Sequence, residues 1–297
     1  MTEERLLQSL DNTFAVALSG GLGNQMFQYA LGRSLALRRG AQLVLDTRPL
    51  DQDSQRSFAL ADFALEARPA NAKQIAALPR PRHRRLRRLP QWPGSVRYVA
   101  EPGFAFAARI LQTAAPAYLD GFWQSEKYFG DKAEAVRADF QLRQPLHPNR
   151  QAIAELIDNS QAVSVHVRRG DYVTNATANS YHGTCEPDWY RRARAIIEQH
   201  CAGARYFVFS DDPAWAQANL AMPASTCFVR PSNDGRDHED LHLMARCRHH
   251  IVANSSFSWW GAWLNPAADK QVVAPAQWFR DATIDTRDLL PSQWLRL

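Results

Sequence analysis

Apolar runs and turn-forming clusters alternate along this chain, regularly in its second half and less so in its first. Phe14–Ser19 is a short apolar run ending in Gly20-Gly21-Leu22-Gly23. Phe27, Ala30, Leu31, Ser34 and Leu35 then recur at helical spacing, with Gly40 placed to end the helix. Gln42–Asp46 is the next strand. Strand, glycine turn, helix and strand make a βαβ unit, whose crossover forces the two strands parallel. Beyond residue 150, strands are predicted at Ala162–Val167, Tyr206–Ser210, Thr226–Val229, His250–Ala253 and Gln271–Ala274. Helical patterns fall between them at 187–200, 213–221, 237–248 and 255–264. Such alternation predicts a doubly wound parallel sheet.

Residues 50–115 read differently. Pro79, Pro81, Pro90, Pro93 and a run of arginines interrupt any long element, so helical fragments and loops are predicted there. The expected architecture is α/β, with two Rossmann-like halves at 1–148 and 149–297 joined near Pro145–Asn149.

Composition narrows the function classes. The 297 residues are 45% hydrophobic and 22% charged, which excludes wholesale disorder. The net charge of +5 is local: Arg80, Arg82, Arg84, Arg85, Arg87 and Arg88 fall within nine residues, and without these six the remainder stands at −1. A chain basic throughout for nucleic acid is therefore not expected. The arginine segment reads either as a solvated loop or as a peripheral contact with anionic membrane at the inner face. Cys185, Cys201, Cys227 and Cys247 form no CxxC pair, which argues against a zinc ribbon or dithiol site and suits a reducing compartment. The polar start MTEERLLQSLDN is unlike a signal peptide, and the charge-free stretch 251–268 is broken by Asn, Ser and Pro. A cytoplasmic location is expected.

Four polar clusters fall at predicted strand ends, where ligands bind in sheets of this kind. Gly20-Gly21-Leu22-Gly23-Asn24-Gln25 offers close backbone approach and a helix N-terminus, although it is neither GxGxxG nor a P-loop. His166-Val167-Arg168-Arg169-Gly170-Asp171 sends two arginines from a buried strand. Their forks match a diphosphate, and an ion pair with Asp171 is the plainer alternative. Ser210-Asp211-Asp212 suits a metal, a ribose or a guanine edge, or else the N-cap of the next helix. Asn254-Ser255-Ser256-Phe257 opens a helix with hydroxyl groups, as a cap or an anion site. Together, four such clusters point to a nucleotide and phosphate site.

These residues resemble the α-1,2-fucosyltransferases of glycosyltransferase family 11. The resemblance rests on GGLGNQMFQYALGRSLA at 20–36, HVRRGDYV at 166–173, FSDD at 209–212 and EDLHLMARCRHHIVANSSFSWWGAWLN at 239–265. HxRRxD is shared with other fucosyltransferases, whereas the first and last stretches are more specific to family 11. The resemblance implies a GT-B fold, two Rossmann-like domains facing across a cleft. It implies GDP-L-fucose as donor and inverting transfer to the 2-hydroxyl of a terminal galactose. The acceptor would be a surface glycan such as an O-antigen, including lipid-linked forms, and neither metal nor cofactor is expected. Carried onto this chain, Arg168 and Arg169 would hold the diphosphate with His166 beside the nucleotide. Asp211 or Asp212 would read guanine, whose N1–H and N2–H₂ suit one carboxylate. Asn254, Ser255, Ser256 and Phe257 would meet the phosphates, and Gly21, Gly23, Asn24 and Gln25 would close over them. Asp171 and His182 are the candidates for general base. A non-catalytic GDP-sugar-binding protein, or a fucosyltransferase of another linkage, is the alternative.

Two motifs compete. His238-Glu239-Asp240-Leu241-His242 matches HExxH, but no later Glu or spaced His supplies a third zinc ligand. Asp51-Gln52-Asp53 matches the DxD of metal-dependent glycosyltransferases, in a polar loop where the pattern arises easily by chance. Trp92, Phe122 and Trp123 are candidates for stacking on sugar faces, with core packing the alternative.

Overall fold

The computed structural model describes residues 10–79, 96–174, 176–232 and 235–297. The arginine segment Arg80–Arg88, read as a solvated loop or a membrane contact, and Trp92 lie outside the described residues. The chain forms two compact units, Met1–Arg143 with Arg287–Leu289, and Gln144–Thr286 with Leu290–Leu297. No described helix is long and apolar enough to cross a membrane.

In the first unit, β1 (Thr13–Ala17), α1 (Leu22–Arg39) and β2 (Gln42–Asp46) form the expected βαβ unit. Gly40 ends α1 in the left-handed conformation at φ 59°, its N–H donating to the Ala36 carbonyl. The sheet adds β3 (Arg68–Pro69), β4 (Arg97–Ala100) and β5 (Ala117–Asp120) in the order β3-β2-β1-β5-β4, all parallel. Between β3 and β4 runs the short helix α2 (Ala72–Ala77), which opens on a reciprocal Asn71–Gln74 cap. After β5 comes α3 (Ala133–Asp139). Because β1 lies between β2 and β5, the sheet's switch point falls where β1 ends at the glycine turn.

The second unit opens with α4 (Pro148–Asp158), so the expected joining segment near Pro145–Asn149 runs into a helix capped by His147. Next come β6 (Gln161–Val167), α5 (Gly170–Thr174), α6 (Ala176–His182), α7 (Pro187–His200) and β7 (Ala204–Ser210). They are followed by α8 (Pro213–Asn219), β8 (Cys227–Val229), α9 (Asp237–Arg246) and β9 (His249–Ile251). The unit closes with α10 (Ser256–Leu264), β10 (Val272–Ala274) and β11 (Leu295–Arg296). The sheet order is β11-β10-β9-β6-β7-β8, again all parallel.

Burial on both faces explains why these strands read as continuous apolar runs. Val163, Val165 and Tyr206 pack against Trp189, Ala193 and Ile197 of α7 on one face. Ala162, Phe207 and Phe209 pack against Ala154 of α4 and Leu243 and Met244 of α9 on the other. Trp259, Trp260 and Trp263 of α10 are buried against one another and Trp294, so the aromatic run of that motif is core. β6 is flanked by β9 and β7, which puts this sheet's switch point at the end of β6.

Candidate active site

Val167 is the last residue of β6, and the chain leaves the sheet there as Arg168 and Arg169. The β6–β7 register pairs Val167 with Ser210, which brings Asp211 and Asp212 alongside the two arginines. Arg168 Nη1 lies 3.0 Å from Asp211 Oδ2, and the main-chain N–H of Arg169 donates to Asp211 Oδ1 at 2.8 Å. The Arg169 guanidinium reaches Asp212 Oδ2 at 3.3 Å, while Asp212 Oδ1 accepts the Trp215 N–H at 3.2 Å and caps α8. A Cβ on Gly170 would stand 2.6 Å from Asp211 Oδ2, so any larger residue would force this carboxylate to shift. Asp211 and Asp212 thus pair with the two arginines; the Asp171 side chain, the ion-pair partner weighed from sequence, lies outside what is described. Two guanidinium groups are held before any ligand arrives, which lowers the entropy cost of binding a diphosphate.

Aromatic rings add to that hold. The Arg168 guanidinium lies 5.2 Å from the centroid of the Tyr172 ring. Tyr172 stacks on His182 at 4.3 Å and 2°, and His182 also meets the edge of Tyr181 at 4.7 Å. The candidate base is therefore set in an aromatic stack one ring away from Arg168.

His166 is buried at 6% exposure, and its Nδ1 has no hydrogen-bond partner among the described residues. Burial, and secondly the charge of Arg168, push its pKa down to about 3. It is neutral at physiological pH, with its ring 5.6 Å from that of Phe257.

At the end of β9, Ser255 is the N-cap of α10 but makes no side-chain cap hydrogen bond, and Ser256 begins the helix half-buried. A helix N-terminus left uncapped in this way favours an anion. Asn254 corrects the expectation from sequence. Its amide, 4% exposed, donates to the carbonyls of His182, Gly183 and Trp278 at 2.9–3.2 Å. It ties the 182–183 and 278 segments to the strand end instead of facing a ligand.

In the first unit, the glycine turn stands at the end of β1 and opens α1. Gly21 is the N-cap of α1, again with no side-chain cap, and Asn24 Oδ1 accepts the Gln124 amide at 2.7 Å. Gly23 is buried in the first turn of α1. Gln25 is the second correction. It is fully buried, donates to the Gly20 and Ser57 carbonyls at 2.9 and 2.8 Å, and accepts the Ala59 N–H at 3.0 Å. By clamping 57–59 it fixes the neighbouring Arg56, whose Nη1 lies 3.4 Å from where a Gly21 Cβ would be. Arg56 over the N-terminus of α1 is a basic group that the sequence did not single out. Nothing in DQDSQRS distinguishes it, because its place depends on Gln25.

The competing motifs go to structure. Glu239 is buried and accepts the His147 N–H at 2.8 Å, and Asp240 meets Arg150 at 2.8 Å, so HExxH serves the α4–α9 contact. Asp53 accepts the Gln55 N–H at 2.9 Å in an exposed turn. Among the described residues no group of three His, Cys, Asp or Glu is placed to hold a metal ion.

Comparison with known proteins identifies the family and the fold. The family model described as Glycosyl transferase family 11 matches residues 1–296. An α-1,2-colitosyltransferase of Escherichia coli is 31% identical, over 94% of this chain and 97% of that protein. The O-antigen biosynthesis glycosyltransferase WbnK of Escherichia coli is 33% identical, over 94% of this chain and 99% of that one. Among solved structures, fucosyltransferase NodZ from Bradyrhizobium superposes with a TM-score of 0.51 at 16% identity, covering 86% of this chain and 93% of NodZ. Arabidopsis thaliana FUT1 in complex with GDP gives 0.51 at 11% identity, over 91% of this chain and 74% of that one. These likenesses show the fold, which is of the GT-B class.

Proposed function

Since the chain belongs to glycosyl transferase family 11 and is a glycosyltransferase of that fucosyltransferase family, we propose that it moves L-fucose from GDP-L-fucose to the 2-hydroxyl of a terminal galactose, with inversion. The observation that carries this reading is the Arg168–Arg169 pair, held by Asp211 at the switch point of the second sheet. Both Escherichia coli relatives support the wider setting. One is named for 1,2-linked transfer and the other for O-antigen biosynthesis, which favours a surface glycan as acceptor.

As GDP departs, negative charge grows on the β-phosphate while the sugar becomes oxocarbenium-like. Arg168, Arg169 and the first-turn N–H groups of α10 meet that charge, with no metal taking part. A buried, neutral His166 adds no charge of its own and leaves one ring nitrogen for the nucleotide. Asp211 and Asp212 hold the arginines, and Asp212, the more exposed, is the one assigned to guanine. Proton removal from the acceptor hydroxyl falls to His182 or Asp171.

The test is GDP release from GDP-L-fucose with lactose as acceptor, in EDTA, with the linkage of the product read by NMR. A 2-linked α-fucosyl galactose supports donor and linkage together. Donor hydrolysis without transfer would reject the galactoside, and GDP binding without turnover would favour a sensor. A second reading comes from the colitosyltransferase relative. Colitose is the 3-deoxy counterpart of fucose, and faster turnover of GDP-colitose than of GDP-fucose would establish it.

A further inference from the structure

The turn that follows β5 is held more firmly than a surface connection requires. Gly121-Phe122-Trp123-Gln124 leaves the carboxyl end of the strand beside β1, at the first sheet's switch point. Glu101, the residue after β4, accepts the N–H of Phe122 on one carboxylate oxygen and that of Trp123 on the other, both at 2.8 Å. A Cβ on Gly121 would stand 2.3 Å from the Glu101 Cβ, so glycine is needed for that approach. Trp123 sits at φ 57°, which a bulky residue adopts only where its surroundings impose it. Its indole is fully buried, edge-on to Tyr128 at 5.8 Å, and its Nε1 has no partner among the described residues. Gln124 then donates to Asn24 of the glycine turn at 2.7 Å.

All this effort leaves one side chain outside. Trp123, Gln124 and Ser125 are buried, whereas Phe122 is 42% exposed. Strain of this sort persists at functional sites because it presents a group in one orientation. An apolar ring at a sheet's carboxyl edge, beside a glycine turn, suits a ligand with one apolar face. Galactose has such a face, since its axial 4-hydroxyl leaves the C–H groups of C3, C4 and C5 together on the opposite side. We propose that Phe122 is the platform on which the terminal galactose of the acceptor stacks, and that Glu101 is the positioning residue that holds it there. This rests on the galactoside reading above.

The test compares wild-type protein with Phe122→Ala, Phe122→Trp and Glu101→Gln, using GDP-L-fucose and lactose. Phe122→Ala is expected to raise the acceptor KM about fivefold to tenfold. Donor hydrolysis and GDP affinity stay unchanged, and Phe122→Trp restores the KM. Glu101→Gln turns an amide N–H₂ toward a main-chain N–H and should raise the acceptor KM in the same way, again without weakening GDP binding. An unchanged acceptor KM in Phe122→Ala, with wild-type protein active, overturns the platform alone. A parallel loss of GDP binding in Phe122→Ala or Glu101→Gln would show a merely structural turn and overturn it too. Absence of transfer by wild-type protein would instead sink the galactoside reading, and the platform with it.

Discussion

Arg169 places its guanidinium carbon 3.8 Å from the centroid of the Trp215 ring while the same group reaches Asp212 at 3.3 Å. One cation is thus fixed by a ring and a carboxylate, and its main chain is fixed separately by Asp211. Few degrees of freedom remain to be lost when a diphosphate binds.

Arg168→Ala and Arg169→Ala should each lower kcat by about 10²–10³, the usual loss when a fixed donor to developing charge is removed. Arg169→Lys should recover little, since a point charge replaces a fork that stacks and pairs at once. Initial rates at saturating acceptor test this. Near-normal turnover in both alanine variants would remove the arginines from the site.

Gly170→Ala tests the brace behind them. Its Cβ would press on Asp211 Oδ2, 2.6 Å away, and displace the carboxylate that positions both arginines. GDP affinity should fall about tenfold or more by titration calorimetry, in line with losing a charge-assisted contact to the diphosphate. Retained affinity would mean that Asp211 is dispensable to the arginine geometry.

Metal removal has a plain expectation. Turnover in excess EDTA should equal turnover in buffer, and added Mn²⁺ should change it little, because fixed guanidinium groups carry the charge in this proposal. Abolition by EDTA with rescue by Mn²⁺ would return attention to Asp51 and Asp53.

Acid should weaken the second unit. His166, His242, His249 and His250 all have pKa values lowered by burial, His166 to about 3. Below about pH 6.5 the unfolded chain takes up protons that the folded unit refuses, so stability falls with falling pH. For His166 the loss continues toward pH 3. His250 is lowered by burial first and then by the charges of Lys270 and His249, and its ring is already engaged, with Asn265 donating to Nε2 at 3.0 Å and Ser164 meeting Nδ1 at 2.8 Å. Asp240 acts the other way, its carboxyl raised to about 7 by burial despite Arg150 nearby, but it is one group against four histidines. Melting temperatures from pH 7.5 down to 4.5 should decline, and His166→Asn should flatten the slope. A profile that rises toward acid would contradict these shifts.

The second sheet was legible in the sequence because its strands are buried on both faces and stop abruptly at polar clusters. β6, β7 and the helices at 187 and 213 begin within two residues of their expected starts. The first sheet was half legible. β4 and β5 are four residues each, RYVA and AYLD, too short to establish a period against the prolines before them. Among site residues, strand-end position could be read but side-chain direction could not. Gln25 and Asn254 carry the same amide whether it faces a ligand or a neighbouring carbonyl, and the structure turns both toward carbonyls. Arg56 was hidden for the converse reason, since the residue that places it lies on α1, far away in sequence.

The short return of Arg287–Leu289 to the first unit has a practical consequence for anyone dissecting the protein. Asp288 pairs there with Lys127 and accepts the Phe106 N–H at 3.0 Å, and only afterwards does the chain supply β11 to the edge of the other sheet. No single cut therefore yields two intact halves. A gene fragment stopped at residue 143 would lack the acceptor for Phe106, and one begun at 144 would carry three residues foreign to it in the middle of its tail. Expressing a half to study donor or acceptor binding calls for grafting 287–289 as a separate peptide or redesigning the crossing, and loss of solubility in simple truncations should be read as missing threads of chain.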